Sequence, residues 1–404
     1  MKKQESTLFH LLSCVVKGTA PEVSLFAHMG AGEWDALYKL AKEQGVTALV
    51  FEKLESLPAE VAPPKQLMLQ WFSHTLSIGK QMERKYLVAA DFAERLAAAN
   101  IPVVVLKGFA IAAYYPQPLH RECGDLDCYM LGKMAEGEAV AASFGAVVEE
   151  ANYKHSHIKY KGLTIENHKY FTSFNNTARG KGTEAALKQL IFAQAPARWD
   201  NSALLRPNAT FNALFLAKHA LRHFIDEAIC LRHIMAWALF LKAEAANVDW
   251  QLLRPHLEAS RVLPFAQLLT RISLRNLGLP ASTPLPDWLR GGCGGSAAAS
   301  ASCAGSGEFA DCGGGSAGVS SAGCCGGAKA CGDGAEHMAR WEEMLLADTF
   351  GGHPSMAGET FFMKCKRILR RFRRIYRFRD LADETPATLI WNAFAFSSYL
   401  HRKL

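Results

Sequence analysis

The sequence predicts an α+β fold in which a small mixed sheet is flanked by N-terminal and C-terminal helical regions. Apolar residues recur every three or four positions over most of residues 1–99, as in amphipathic helices. Short β-branched runs alternate with helical patterns over residues 100–205, and long helical patterns return from residue 206. Half of the 404 residues are apolar, which is enough for a buried core and excludes a wholly disordered chain.

The N-terminal region, residues 1–99, is predicted to be helical throughout. The apolar spacing is clearest in Leu8–Val16, Trp34–Leu40 and Leu67–Leu96. Pro63 and Pro64 mark the start of the third helix, because proline fits the first turn of a helix but not its interior. Asn100 marks its end.

The central region, residues 100–205, contains the predicted sheet. Residues 102–106 form a continuous apolar run, too short for a helix and suited to a strand buried on both faces. Lys161 and Gly162 are the expected turn of a hairpin. The other predicted elements are helices at Gly108–Tyr115 and Met134–Phe144, strands at Leu126–Leu131 and Ala146–Glu150, and hairpin strands at His155–Tyr160 and Leu163–His168.

Three regions follow: helices over residues 206–290, a segment of small residues over 291–337, and helices over 338–404. In residues 291–334, 38 of 44 residues are Gly, Ala, Ser or Cys. With almost no large apolar side chain to bury, this segment cannot offset the entropy lost on ordering, so we expect it to be flexible. Its cysteines lack the spacing of a zinc site.

The remaining five cysteines are scattered singly among apolar residues, as is typical of reduced, buried thiols. No apolar run approaches the roughly 18 residues of a membrane span, and the N-terminus lacks the apolar core of a signal peptide. These features predict a cytoplasmic protein without a transmembrane segment.

The formal charge of +7 is concentrated in one segment. Lys364–Arg379 contains nine basic residues and no acid, so the rest of the chain is close to neutral. Its apolar residues are spaced as on one face of an amphipathic helix. Such a helix could bind nucleic acid, an anionic lipid surface or an acidic partner, or it could pack on the protein with its arginines in solvent.

Two acids share one face of a predicted strand. Asp125 and Asp127 are two residues apart, so their side chains point to the same side, whereas Leu126 and Cys128 point into the core. Paired carboxylates repel each other unless a cation lies between them, and Mg²⁺ favours such oxygen ligands. The alternative is that both acids are solvated at a turn and a strand end.

Glu166 is a third candidate acid, on the second strand of the predicted hairpin. Thr164, Glu166 and His168 alternate with buried Leu163 and Ile165. If this strand lies beside that of Asp125 and Asp127, three carboxylates converge, as two-metal phosphoryl or nucleotidyl transfer requires. Otherwise Glu166 is an exposed hairpin residue.

Lys107 and Gly108 end the first predicted strand and open a helix. A glycine there permits a tight turn and close backbone approach, and Lys107 could meet a phosphate held at the start of the helix. The same pair could equally be a simple helix-start turn. Arg121, four residues before Asp125, is a second cation that could meet a triphosphate.

These motifs in this order resemble the uncharacterised nucleotidyltransferase family of the polymerase-beta-like superfamily. That family has a Leu-Lys-Gly turn, an arginine, an Asp-x-Asp strand and a later acid followed two residues on by histidine. The resemblance implies a metal-dependent transfer of NMP from an NTP to a hydroxyl of an acceptor, which could be a small molecule, tRNA or protein. It implies that two ions of Mg²⁺ or Mn²⁺ are the cofactors.

The resemblance also implies roles for individual residues. Asp125, Asp127 and Glu166 would be the catalytic metal ligands, with Glu166 as a base. The nucleotide-binding residues would be Lys107, Gly108, Arg121 and His168, of which Lys107 and Gly108 would hold the triphosphate and His168 would orient the site.

Two residues depart from the pattern of these relatives. Phe109 follows Gly108 where the wider superfamily has serine, and Ala236 stands where the C-terminal helical motif leads us to expect aspartate. They motivate a second hypothesis, a catalytically inactive protein of this fold that acts as an interaction or nucleic-acid-binding module. Near Ala236, the three histidines His219, His223 and His233 lie on apolar helical faces, and we expect structural roles for them rather than metal binding.

Overall fold

The computed structural model describes residues 2–149, 152–172, 177–291, 325–350 and 361–382. In this part of the chain, helices surround a seven-stranded mixed sheet, which confirms the predicted α+β class. None of the helices described is both long enough and apolar enough to cross a bilayer. The limits of the predicted regions stay predictions.

Four helices precede the sheet: α1 (Lys3–Lys17), α2 (Ala31–Glu43), α3 (Thr47–Leu54) and α4 (Lys65–Ala97). Helix α4 begins after Pro64, and the chain reverses at Asn100, whose φ is 57°, as predicted at both ends. Helix α3 is not apparent in the sequence, because its residues are buried on nearly all sides and show no polar face. The indole of Trp71 on α4 donates to the Thr47 carbonyl at 2.9 Å and joins the two helices.

The sheet has the strand order β3-β4-β5-β2-β1-β7-β6. Its strands are β1 (Val103–Val105), β2 (Leu126–Tyr129), β3 (Val147–Glu149), β4 (His155–Tyr160), β5 (Leu163–His168), β6 (Ala197–Arg198) and β7 (Leu204–Arg206). Strand β2 pairs antiparallel with β1 and parallel with β5. The connections include α5 (Lys107–Ala112), α6 (Met134–Ser143) and α7 (Ala178–Leu190). Helix α7 and strands β6 and β7 are not among the elements predicted from the sequence.

The predicted hairpin is confirmed as strands β4 and β5. Its turn residues, Lys161 and Gly162, have φ values of 46° and 79°, the left-handed pair that a two-residue hairpin turn requires. On β5, Leu163 and Ile165 are buried and Glu166 is only partly buried, so the predicted alternation holds here. This alternation fixes the side of the strand on which Glu166 lies.

The C-terminal helices are α8 (Ala209–Glu227), α9 (Leu231–Glu244), α10 (Trp250–Ala259), α11 (Leu263–Arg275), α12 (Cys325–Thr349) and α13 (Phe361–Arg377). The first four confirm the predicted helical runs. Of the segment 291–337 predicted to be flexible, residues 292–324 lie outside the described residues. The backbone of residues 325–337 belongs to α12, and the flexibility of the segment stays a prediction.

The basic sequence Lys364–Arg379 lies largely on α13, but the helix does not bury the predicted apolar face. Ile375 is fully buried. Three other apolar residues are exposed: Leu369 by 59%, Phe372 by 37% and Tyr376 by 64%.

Arginines of α13 contribute to its attachment. Arg374 lies 2.6 Å from both carboxylate oxygens of Asp348 and donates to the Phe224 carbonyl on α8. Arg371 lies 3.0 Å from Asp226. These two cations are therefore engaged within the protein, and nucleic-acid binding through α13 stays a prediction.

Candidate active site

A cavity of about 300 Å³ lies between one face of the sheet and helices α8 and α9. All of the predicted site residues except His168 line it. The sheet side contributes Lys107, Gly108, Arg121, Asp125, Asp127 and Glu166, and the helical side contributes His219, His223, Arg232, His233 and Ala236.

The pairing of β2 with β5 brings two of the acids together. The strands are parallel, and their register sets Asp127 directly beside Glu166. The neighbouring residues Leu126, Cys128 and Ile165 are fully buried. The two carboxylates are therefore held by the backbone of the sheet rather than by loops.

Asp127 is the most buried of the three acids, with 7% of its surface exposed. Its Oδ1 lies 2.5 Å from Lys107 Nζ and 2.8 Å from His168 Nε2. Burial opposes its ionisation, but Lys107 and His168 outweigh this effect and hold the pKa of Asp127 well below its ordinary value. Asp127 is therefore a carboxylate at neutral pH.

Glu166 is surrounded by imidazoles. Its carboxylate oxygens lie 3.6 Å from the Nε2 atoms of His155, His157 and His168. The interaction with His168 is the largest of the effects that lower the pKa of Glu166, and burial and Asp127 partly offset it. Burial lowers the pKa of His155 to about 4 despite the attraction of Glu166, so that ring is neutral near pH 7.

Asp125 completes the group of acids and is the most exposed of them. Burial of its carboxyl group, followed by the charges of Asp127 and Glu166, raises the pKa of Asp125 above its usual value. A hydrogen bond with Glu166 contributes in the same direction. Asp125 lies in the bend before β2 and not on the strand, so the prediction that Asp125 and Asp127 share a strand face is wrong for Asp125. Its role in a metal site stays a prediction.

Lys107 and Gly108 form the turn between β1 and α5. Lys107 has a φ of 49°, an uncommon left-handed conformation for a residue with a side chain, and such strain is often found at functional sites. A Cβ on Gly108 would lie 2.5 Å from Cys123 Sγ, so the glycine allows the chain before β2 to pack against this turn. Lys107 contacts Asp127 directly.

Arg121 is buried beside the cavity. Only 9% of its surface is exposed, and its guanidinium contacts the Glu122 carbonyl, Cys123 Sγ at 3.6 Å and the ring of Tyr115. Its Nε has no hydrogen-bond partner among the described residues. A buried guanidinium with an unused donor is suited to an anion entering the cavity.

His168 is fully buried and does not line the cavity. Its Nδ1 contacts the Tyr170 carbonyl at 3.0 Å, and its Nε2 contacts Asp127. Both ring nitrogens are therefore used within the protein. These contacts are consistent with the predicted role of His168 in orienting the site, and they leave neither ring nitrogen for direct contact with a nucleotide.

Two cationic residues of the site were not among the predicted site residues. Arg232, at the start of α9, lines the cavity, and its Nε has no partner in the part of the chain described. Lys154, near Lys107, has its pKa lowered to about 8, mainly by burial. Neither could be recognised as a site residue from its sequence neighbours, because only the tertiary fold brings it to the carboxylates.

The two departures from the family pattern have different positions. Phe109 is buried in the core, where its ring meets that of Trp199 edge-on, and it does not line the cavity. Ala236 does line the cavity, on α9. Phe109 therefore contributes to core packing, whereas Ala236 leaves the helical side of the cavity without the carboxylate expected there.

The residues present fit a hard divalent cation. Ligand atoms of Asp127, Glu166 and His168 all lie within 4.8 Å of one another, although both nitrogens of His168 already contact Asp127 and the Tyr170 carbonyl. Asp125 lines the same cavity but is not in this group. Carboxylate oxygens are the donors that Mg²⁺ and Mn²⁺ favour, and a dication would relieve the repulsion among the three acids.

A mixed sheet whose neighbouring strands present converging acids, enclosed by helices, defines an α+β protein with a nucleotidyltransferase core. The model of the family described as uncharacterised nucleotidyltransferase matches residues 30–278, more than half of the chain, so the chain belongs to that family. The match extends from the start of α2 to just beyond α11. It supports nucleotidyl transfer as the general activity. Comparisons with curated proteins and with solved structures found no match.

Proposed function

We propose that the protein is a metal-dependent nucleotidyltransferase that moves NMP from an NTP to a hydroxyl group of an acceptor. The observation that carries this proposal is the pairing of Asp127 on β2 with Glu166 on β5, with Asp125 in the bend just before β2, at a cavity with cationic residues on its walls. In the reaction the acceptor oxygen forms a bond to the α-phosphorus, the bond from that phosphorus to the β-phosphate oxygen breaks, and pyrophosphate leaves.

Asp125, Asp127 and Glu166 would hold Mg²⁺ or Mn²⁺, and three carboxylates are enough for two ions. The bound ions would lower the pKa of the attacking hydroxyl and stabilise negative charge on the α-phosphate. We assign Glu166 as the carboxylate that accepts the hydroxyl proton. His168 fixes the Oδ1 atom of Asp127, and so sets the geometry of the acids without touching the substrate.

The triphosphate would lie against the cationic side of the cavity. Lys107 and Arg121 provide positive charge there, and Gly108 permits close approach of the backbone. Arg232 faces the same cavity from α9. Guanidinium groups suit this task because they stay charged and can donate two hydrogen bonds to one phosphate.

The acceptor stays open between a small molecule, tRNA and protein, since none of the described elements carries a recognisable acceptor motif. We also propose that the protein acts in the cytoplasm, where NTPs are plentiful. The four cysteines Cys14, Cys123, Cys128 and Cys230 are free and buried, which is consistent with a reducing compartment.

A second candidate is a catalytically inactive member of the family that acts as an interaction or nucleic-acid-binding module. Ala236 favours it, because the cavity lacks the acid expected on α9. The two candidates differ in one measurable property, the transfer of label from an NTP in the presence of a divalent cation.

The test is to incubate the full chain with each α-labelled NTP and Mg²⁺ or Mn²⁺ in cell extract, and to ask what becomes labelled. We expect one class of molecule to be labelled by the wild type and not by Asp127→Ala. The matched control is Asp35→Ala, which removes an exposed acid on α2 and should leave labelling unchanged. Absence of labelling with every NTP would favour the inactive candidate.

A further inference from the structure

A second group of possible metal ligands lines the same cavity from the helical side. His219 and His223 are one turn apart on α8, and His233 is near the start of α9. The ring centroids are 4.5 Å apart for His219 and His223, 4.7 Å for His223 and His233, and 6.1 Å for His219 and His233. One nitrogen from each ring lies within 4.8 Å of the others.

This spacing is close to what a single ion needs. A zinc–nitrogen bond is about 2.0–2.1 Å, so nitrogens on one ion are roughly 3–3.5 Å apart. Binding one ion therefore requires the ring nitrogens to come closer by rotation about the side-chain bonds. The rings come from α8 and α9, two helices that contact each other.

Two of the three rings are already oriented by a neighbour. His223 Nδ1 lies 2.9 Å from a carboxylate oxygen of Glu227, and His233 Nδ1 lies 3.3 Å from Cys230 Sγ. A metal bound through Nε2 leaves both of these contacts intact. A carboxylate on the second nitrogen is the usual arrangement for a metal-binding histidine, because it fixes the ring and makes it a stronger ligand.

The surroundings favour the neutral form of two of the rings, and the nearby charges have opposing effects on the binding of a cation. Burial lowers the pKa of His219 and of His233 well below the ordinary value, so both are in the neutral form that binds metal. Lys107 and Arg232 nearby disfavour a dication, whereas Glu227 and the acids across the cavity favour one. Three imidazoles select Zn²⁺ or a similar transition metal and not Mg²⁺, which prefers oxygen.

We propose that His219, His223 and His233 form a binding site for one Zn²⁺-type transition-metal ion, distinct from the carboxylate site, with its open coordination position facing the cavity. Three protein ligands and one open position are the arrangement found where zinc contacts a water or a substrate group. The proposal does not depend on nucleotidyl transfer by the acids. It assigns chemistry to histidines for which the sequence suggests only a structural role.

The test uses Co²⁺ alone as a spectroscopic probe, added to the metal-free full chain. We expect the wild type to show the visible absorption of a tetrahedral Co²⁺ site, and Zn²⁺ to displace it. His233→Ala should lose this absorption, and Glu227→Gln, which keeps all three ligands, should bind roughly 10–100-fold more weakly. Thiolates are also ligands for Co²⁺ and the chain has eleven cysteines, so the measured quantity is the difference from the wild type.

Two controls keep the result specific. His256→Ala removes a histidine on α10, outside the cluster, and should match the wild type. Asp127→Asn should keep the Co²⁺ absorption even if it abolishes transfer, so failure of the zinc site and failure of the proposed function are separable. Circular dichroism checks that each variant is folded. Equal Co²⁺ titration curves for the wild type, Glu227→Gln and His233→Ala would overturn the proposal and leave the histidines as packing groups.

Discussion

Substituting Gly108 by alanine tests the packing of the turn that carries Lys107. The added Cβ would lie 2.5 Å from Cys123 Sγ and 3.3 Å from Cys123 Cβ. Non-bonded heavy atoms favour roughly 3.5–4.0 Å, so the sulfur contact is about 1 Å too short. Cys123 is 7% exposed and packed in the core, which leaves its sulfur little room to move. We expect Gly108→Ala to lower the free energy of unfolding by about 1–3 kcal/mol.

Removing the sulfur should partly reverse this loss. In Gly108→Ala combined with Cys123→Ala, only the 3.3 Å contact with Cβ remains. Cys123→Ala alone should cost about 1 kcal/mol, because it leaves a small cavity. We expect the double variant to be about 1–2 kcal/mol more stable than the sum of the single effects, within the range found for residues in contact. The assay is urea unfolding followed by circular dichroism.

The matched control is Gly124, which directly follows Cys123 in the chain. A Cβ on Gly124 meets no atom within 4 Å, so Gly124→Ala should change the stability by less than about 0.5 kcal/mol. If Gly108→Ala were as stable as Gly124→Ala, or if Cys123→Ala brought no recovery, the close approach of the two chain segments would be refuted.

Two further predictions concern anchors of the fold. The buried carboxylate of Glu184 accepts hydrogen bonds from the backbone N–H groups of Phe171 at 3.0 Å and of Thr172 at 2.9 Å. Glu184→Leu should therefore lower the free energy of unfolding by about 2–4 kcal/mol, measured by thermal or urea unfolding. A variant as stable as the wild type would contradict this role. Arg374→Met should cost about 2–3 kcal/mol, because it leaves the 12%-exposed carboxylate of Asp348 unpaired. Arg370→Met, at an exposed position of the same helix, is its control and should be near neutral. Equal unfolding midpoints for the two arginine variants would show that the ion pair does not anchor α13.

Strands β1 to β5 and the acids near them could be predicted because local patterns indicate them, whereas β6 and β7 could not. The alternation around Glu166 and the turn at Lys161 and Gly162 specify a hairpin and the side on which each residue lies. Asp125 and Asp127 stand out because two acids in an otherwise apolar strand are costly without a compensating cation. The sequence did not determine which strands pair, and the pairing of β2 with β5 was only a condition of the three-acid hypothesis until the structure showed it.

Features that depend on tertiary packing could not be predicted. Arg232 lines the cavity only because α9 packs over the sheet, and Lys154, which precedes β4, comes near Asp127 and Glu166 only because β4 pairs with β5. From the sequence alone, His219, His223 and His233 look like ordinary residues of apolar helix faces, because only the packing of α8 against α9 brings the rings together. On α13 the apolar spacing correctly predicted a helix, but periodicity could not reveal that Arg374 pairs with Asp348 on α12.

The central claim is that Asp127 on β2, Glu166 on β5 and Asp125 just before β2 form a catalytic metal centre. Its most direct test is the rate of label transfer from an NTP in Mg²⁺ for the same-shape amide variants Asp125→Asn, Asp127→Asn and Glu166→Gln, compared with wild type and with Asp35→Asn. We predict that each of the three loses at least about 100-fold, that double variants lose little more, and that chelation of the metal abolishes transfer in the wild type. Transfer at the wild-type rate in folded Asp127→Asn, or undiminished by a chelator, would contradict the claim.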